Sequence, residues 1–205
     1  MQNLASKKDY LLVSIIGLIF AAFAVPILEN IHPDFWRLSF VNLVALMIGV
    51  PLFANFSIWI AGLIGAKHPS IFQFAKYAAT GAMNSFTDIG IFNLLSLVFQ
   101  VFAGGLLVVF NVISFLVAVT NSYFWNNLWA FKKNGSQLGI SQYFRFLATT
   151  IGGVAVGSAI VYFITTIIGA PSGISPQLWE NIAKLAAVPT TVLLNYFGYK
   201  LFVFK

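Results

Sequence analysis

Cysteine is absent from this chain, so neither a disulfide nor a thiolate-held metal can contribute to its structure. Acidic side chains are nearly as scarce, with five Asp and Glu among 205 residues. No carboxylate pair and no Ser/His/Asp arrangement suggests a hydrolytic centre, which points away from an enzyme. His32 and His68 fall in loops expected on opposite sides of a membrane, so no metal site is expected and no cofactor is implied. Charged residues of either sign make up 8%, against about 25% in an ordinary soluble domain. What the chain has instead is apolar bulk. It is 60% hydrophobic, with 22 Phe and five Trp, and its mean hydropathy is +0.90. The +6 net charge does not point to nucleic acid, because the basic residues stand singly at the ends of apolar runs and form no stripe.

Those runs predict an all-α integral membrane protein with six transmembrane helices, each near the ~20 residues that cross a hydrocarbon core. They cover residues 10–28, 38–64, 74–99, 106–131, 146–168 and 182–204. Polar or Gly/Pro-rich turns separate them at 29–37, 65–70, 100–105, 132–142 and 169–180. Lys7, Lys8, Lys67, Lys76, Lys132, Lys133, Arg145, Lys200 and Lys205 fall at one set of ends. The other set holds Glu29, Asp34, Arg37, Glu180 and Lys184. The positive-inside rule then predicts both termini cytoplasmic in an inner membrane. The first segment also has features of a secretory signal, with Lys7-Lys8 before the run and Ala22-Phe-Ala24 as a small-residue cleavage site. Its length through Leu28, and Asp9 beside the lysines, favour a retained helix.

The chain repeats itself. Ser122-Tyr-Phe-Trp-Asn-Asn-Leu-Trp-Ala-Phe-Lys132 and Asn195-Tyr-Phe-Gly-Tyr-Lys-Leu-Phe-Val-Phe-Lys205 share one layout of aromatics and a closing Phe-Lys. Ahead of each stands a second matched pair, Gln73-Phe-Ala-Lys76-Tyr and Gln142-Tyr-Phe-Arg145-Phe. The last four helices are therefore expected to form two helical hairpins inserted the same way round, as parallel repeats. Repeat one covers about 71–133 and repeat two about 140–205; residues 1–70 form an additional N-terminal hairpin without the signature.

Phe74-Ala-Lys76-Tyr with Gly81 and Asp88, Asn126-Asn-Leu-Trp129-Ala-Phe131, Tyr143-Phe-Arg145-Phe and Tyr199-Lys-Leu-Phe202-Val-Phe204 together resemble the GtrA-like family. The resemblance covers residues 71–205. It implies a small non-catalytic membrane protein of polyprenyl-phosphate sugar metabolism. The chain departs from the family pattern at Asn127, where a basic residue is usual; its repeat partner is Lys200.

Two groups of residues are candidates for the chemistry. Lys76, Arg145 and Lys200, with Asn126 and Asn127 nearby, lie at helix ends among aromatics, where cations can hold a lipid phosphate. Simple topology anchoring with snorkelling explains the same residues. Asp88 lies roughly 18 Å along its helix from Lys76, near mid-bilayer, where an acid costs about 2.5–3.5 kcal/mol to insert. It needs an interior partner, and Asn84, Asn121 and Asn195 come to similar depth. That cluster would line a polar cavity or, alternatively, fix helix packing by hydrogen bonds. Gly152-Gly-Val-Ala-Val-Gly157 is expected to permit close helix approach, and Pro189 to kink the last helix.

The function implied by the resemblance is translocation of a polyprenyl-phosphate-linked monosaccharide for cell-envelope polysaccharide glycosylation. An adaptor that recruits or stabilises a polyprenyl-phosphate glycosyltransferase is the alternative, and a small-solute transporter a third. Membrane lipids and a second copy of the chain, as a homodimer, are the further partners expected.

Overall fold

A computed structural model describes residues 3–125, 128–129 and 140–198. Among these residues six α-helices follow in order: α1 (Lys7–Ile31), α2 (Phe40–Gly65), α3 (Pro69–Phe99), α4 (Gly105–Trp125), α5 (Ile140–Tyr162) and α6 (Pro176–Gly198). A π-helical segment, Phe163–Ile168, prolongs α5. Among the described residues five helices are long and apolar enough to cross a membrane, the fifth span being Thr150–Ile168. This is a multi-pass membrane protein. α6 is 23 residues long but carries Glu180, Asn181 and Lys184 in its first half.

Local chemistry fixes where the helices begin. At α1, the Asp9 N–H donates to Ser6 Oγ (3.3 Å) and the Ser6 N–H donates back to Asp9 Oδ2 (2.9 Å), a reciprocal cap that satisfies two otherwise orphaned donors. Ser39 Oγ accepts from the Asn42 N–H at the start of α2, and α3 opens with Pro69 at a position that needs no donor. α6 starts with Ser175-Pro176, and Ser175 Oγ accepts from the Leu178 N–H at 3.1 Å. That cap corrects the sequence expectation. The loop assigned to 169–180 ends at Ser175, so Glu180 is an interior residue of a helix and not a member of an outer loop, and Lys184 lies two turns inside α6 and not at its end. Likewise Glu29 and Asn30 belong to the last turn of α1.

α3 is the central element, packed against α1, α2, α4 and α6. α1 also packs on α2 and touches α6, while α5 packs on α4 and α6. One apolar core joins Val13, Ile16, Ile58, Ala61, Phe72, Met83 and Trp129. A second joins Phe92, Leu107, Phe110, Val161 and Ala187, drawing on α3 to α6. The helices approach most closely at small residues. A Cβ at Gly17 would stand 2.7 Å from Pro51 Cα, and one at Gly90 2.5 Å from Phe23 Cβ. In the glycine-rich stretch of α5, Gly157 makes such an approach, 2.8 Å from Thr191 Oγ1, whereas Gly152 faces open space. The π segment ends at Gly169, whose φ of +73° suits a residue without a side chain. Trp179 Nε1 donates to the Ile164 carbonyl at 2.9 Å, pinning this segment to the first turn of α6.

Candidate functional site

Asp88 projects from the middle of α3 into the bundle, and its partner is Lys184 of α6. The two approach to 2.8 Å. The Lys184 ammonium carries three donors and finds three acceptors: Asp88 Oδ1, Asn111 Oδ1 at 2.6 Å and Ser114 Oγ at 3.2 Å. Ser114 Oγ in turn donates to Asp88 at 2.7 Å, and Asn111 Nδ2 donates to Ser158 Oγ of α5 at 2.9 Å. The Phe92 ring lies 5.0 Å from the ammonium and covers it. α3, α4, α5 and α6 therefore all contribute to one polar node. Burying two charges is costly, and only this degree of pairing offsets it. Lys184 is 4% exposed, whereas the Asp88 side chain is 20% exposed, so the node is reached from the Asp88 side.

One helical turn along α6, a second polar layer surrounds Glu180. Asn30 of α1, Asn93 and Ser96 of α3, and Asn181 of α6 are its members, all buried. Asn93 and Asn181 exchange side-chain hydrogen bonds at 2.9 and 2.8 Å. Glu180 Oε1 accepts from Asn30 Nδ2 at 2.5 Å and from Ser96 Oγ at 2.7 Å.

A third cluster stands at the other end of α3. Lys76 pairs with Asp9 of α1 at 2.5 Å. The same Asp9 oxygen accepts from Trp129 Nε1 at 2.8 Å, and the other from Ser6 Oγ at 2.7 Å. The ammonium also lies 4.5 Å from the Phe72 ring and 5.6 Å from that of Trp129. An apolar cleft of about 420 Å³ opens nearby between α1, α2 and α3, lined among others by Val13, Ile16, Phe20, Phe53 and Ala79.

The residues expected from sequence are thus distributed unevenly. Lys76 is bonded within a cluster whose partner, Asp9, comes from the N-terminal hairpin. The side chains of Arg145 and Asn195, and all of Asn126, Asn127 and Lys200, lie outside the described residues. Asn84, one turn before Asp88, has a buried Oδ1 with no partner among the described residues. Asn121 contacts Met83 Sδ at 3.9 Å and lines a shallow recess with Leu116, Val117, Thr120 and Phe124. The sequence reading assigned Lys184 to a helix end and did not single out Asn111, Ser114, Asn30 or Asn93. A helical signal was present: Glu180, Asn181 and Lys184 share one face of α6 at spacings of three and four.

The family model for the GtrA/DPMS transmembrane domain matches residues 76–204. No curated protein and no solved structure matches the chain. The matched region begins at Lys76 and takes in Asp88, Asn111, Ser114, Glu180 and Lys184, while Asp9 and Asn30 lie in the hairpin that precedes it. By this match over most of its length, the chain belongs to the GtrA/DPMS transmembrane-domain family.

Proposed function

We propose that the protein translocates a polyprenyl-phosphate-linked monosaccharide across the cytoplasmic membrane, without catalysing a reaction, to supply cell-envelope polysaccharide glycosylation. The family membership supports a polyprenyl-linked sugar as the substrate class. The single observation that carries the reading is the buried acceptor of Asn84, without a partner among the described residues and one turn from the Asp88–Lys184 node. A buried acceptor left without a donor is costly, and a sugar hydroxyl is a donor of the right kind.

In this reading six helices span the membrane with both termini cytoplasmic, and the last four act as two parallel-repeat hairpins. Lys76, with Arg145, Lys200, Asn126 and Asn127, receives the phosphate at the inner leaflet. Asp9 then holds Lys76 until the headgroup displaces it. The apolar cleft between α1, α2 and α3 gives the isoprenoid chain a path inside the bilayer. The sugar passes Asn84, Asp88, Asn121 and Asn195, exchanging water for fixed hydrogen-bonding partners. A homodimer encloses the volume that one bundle lacks.

The test is transbilayer movement of a labelled lipid-linked sugar in proteoliposomes. Added protein should accelerate it, and Asp88→Asn at equal reconstitution should abolish the acceleration. Unchanged movement with the wild-type protein would overturn the reading. If the protein instead recruits a glycosyltransferase, Asp88→Asn leaves sugar transfer intact and changes in cytoplasmic loops break the association.

A further inference from the structure

The layer around Glu180 has one imbalance. Its donors are all used: Asn30 Nδ2 reaches Asn93 Oδ1 (2.7 Å) and Glu180 Oε1 (2.5 Å), and Ser96 Oγ reaches the same carboxyl oxygen. Two atoms are left over, Glu180 Oε2 and Asn30 Oδ1, both fully buried and without a partner among the described residues. Both are acceptors, and they belong to the two side chains already joined through Asn30 Nδ2 and Glu180 Oε1. One hydrogen on Oε2 would turn one of these two unmet acceptors into a donor. The Asn30 amide N–H already donates to Oε1, and an acid O–H on Oε2 is the kind of donor that Asn30 Oδ1 lacks.

The charges nearby do not supply an alternative. Lys184, on the same helix, is engaged by Asp88 of α3 and Asn111 of α4. From α1, Glu29 takes the Trp36 indole N–H, and the His32 ring faces the Asn30 backbone carbonyl at 3.4 Å. α5 and its π segment, which pack on α6, bury Ser158 and Thr165, which are neutral. A hard metal cation gathers roughly six oxygens, and among the described residues only two are free here.

We propose that Glu180 is a proton-binding site, with the proton on Oε2 donated to Asn30 Oδ1. The proton comes from water and returns to it. Its loss leaves a bare carboxylate one turn from Lys184, where it competes with Asp88 for the ammonium and so links protonation to the ion-pair node. Asn30 lies outside the family match, so the site depends on the added hairpin. It stands whether or not the protein carries a lipid-linked sugar.

The experiment is infrared difference spectroscopy on the full chain in lipid nanodiscs, titrated over about pH 5 to 9. The chain has two glutamates, Glu29 and Glu180, so carbon-13 labelling of glutamate isolates them without mutation. The expected result is one protonated glutamic acid carbonyl band at neutral pH that shifts in heavy water and disappears as pH rises. The band should persist in Glu29→Gln and vanish in Glu180→Gln. Absence of a labelled band across the range, or its loss in Glu29→Gln instead, overturns the proposal. So does a band that sodium removes at constant pH, which would make this a metal-cation site.

Discussion

Lys184 of α6 lies 2.8 Å from Asp88 of α3, joining an acid from one end of the family region to a base from the other. Breaking such a pair from one side leaves a bare charge in the bundle, which costs about 3–5 kcal/mol in buried sites. Asp88→Asn and Lys184→Met should each lower the thermal unfolding temperature substantially. The double variant, Asp88→Leu with Lys184→Met, should recover most of the loss because no charge is stranded. Transport should not recover. Thermal unfolding in detergent, paired with the proteoliposome assay, separates stability from function.

Asp9 and Lys76 give a second prediction, at the opposite end of α3. If Asp9 occupies the cation in place of a phosphate, Asp9→Asn keeps the cap shape but frees Lys76 for an anion. Binding of a short-chain polyprenyl phosphate, followed by tryptophan fluorescence from Trp129, should tighten in Asp9→Asn and weaken in Lys76→Gln. Weaker binding in both would show that Asp9 assists the cation and does not compete for it.

Close helix contact makes a third. A Cβ at Gly90 would collide with Phe23, whereas one at Gly81 meets nothing within 4 Å. Gly90→Ala should cost about 1–3 kcal/mol by overpacking. Gly81→Ala on the same helix should be neutral or stabilise by up to about 1 kcal/mol. Paired unfolding curves check the contrast.

The fourth concerns the start of α6. Ser175→Ala removes the oxygen that accepts from the Leu178 N–H and should cost about 1 kcal/mol. Ser175→Asp should retain the stability. Hydrogen exchange at the amides of Gln177 and Leu178 reads the fraying directly.

The helices were legible because hydrocarbon demands long apolar segments, and Asp88 stood out because it interrupts one. Its partner was harder to see. Counting cations by side of the membrane treats each as an end marker, and Lys184 falls near enough to a helix start to be counted that way. Ser175-Pro176, a recognisable start signal, moves that start back and places Lys184 roughly 12 Å along α6. Asn111, Ser114 and Asn30 are short neutral side chains within apolar helices. Single polar residues of that kind are common, and their meaning lies in which helices come together. The Asp9–Lys76 pair likewise joins two helices separated in sequence by the whole of α2. No spacing rule connects them.

Glu180 and Lys184 sit one above the other on the same edge of α6, each seated in a different socket of the surrounding helices. The helix behaves like a key with two teeth on one side. If it rotates about its long axis, both teeth leave their sockets in the same motion; if it only tilts, the lower tooth can leave first. The order in which the two sockets empty would therefore report whether this rod turns or leans.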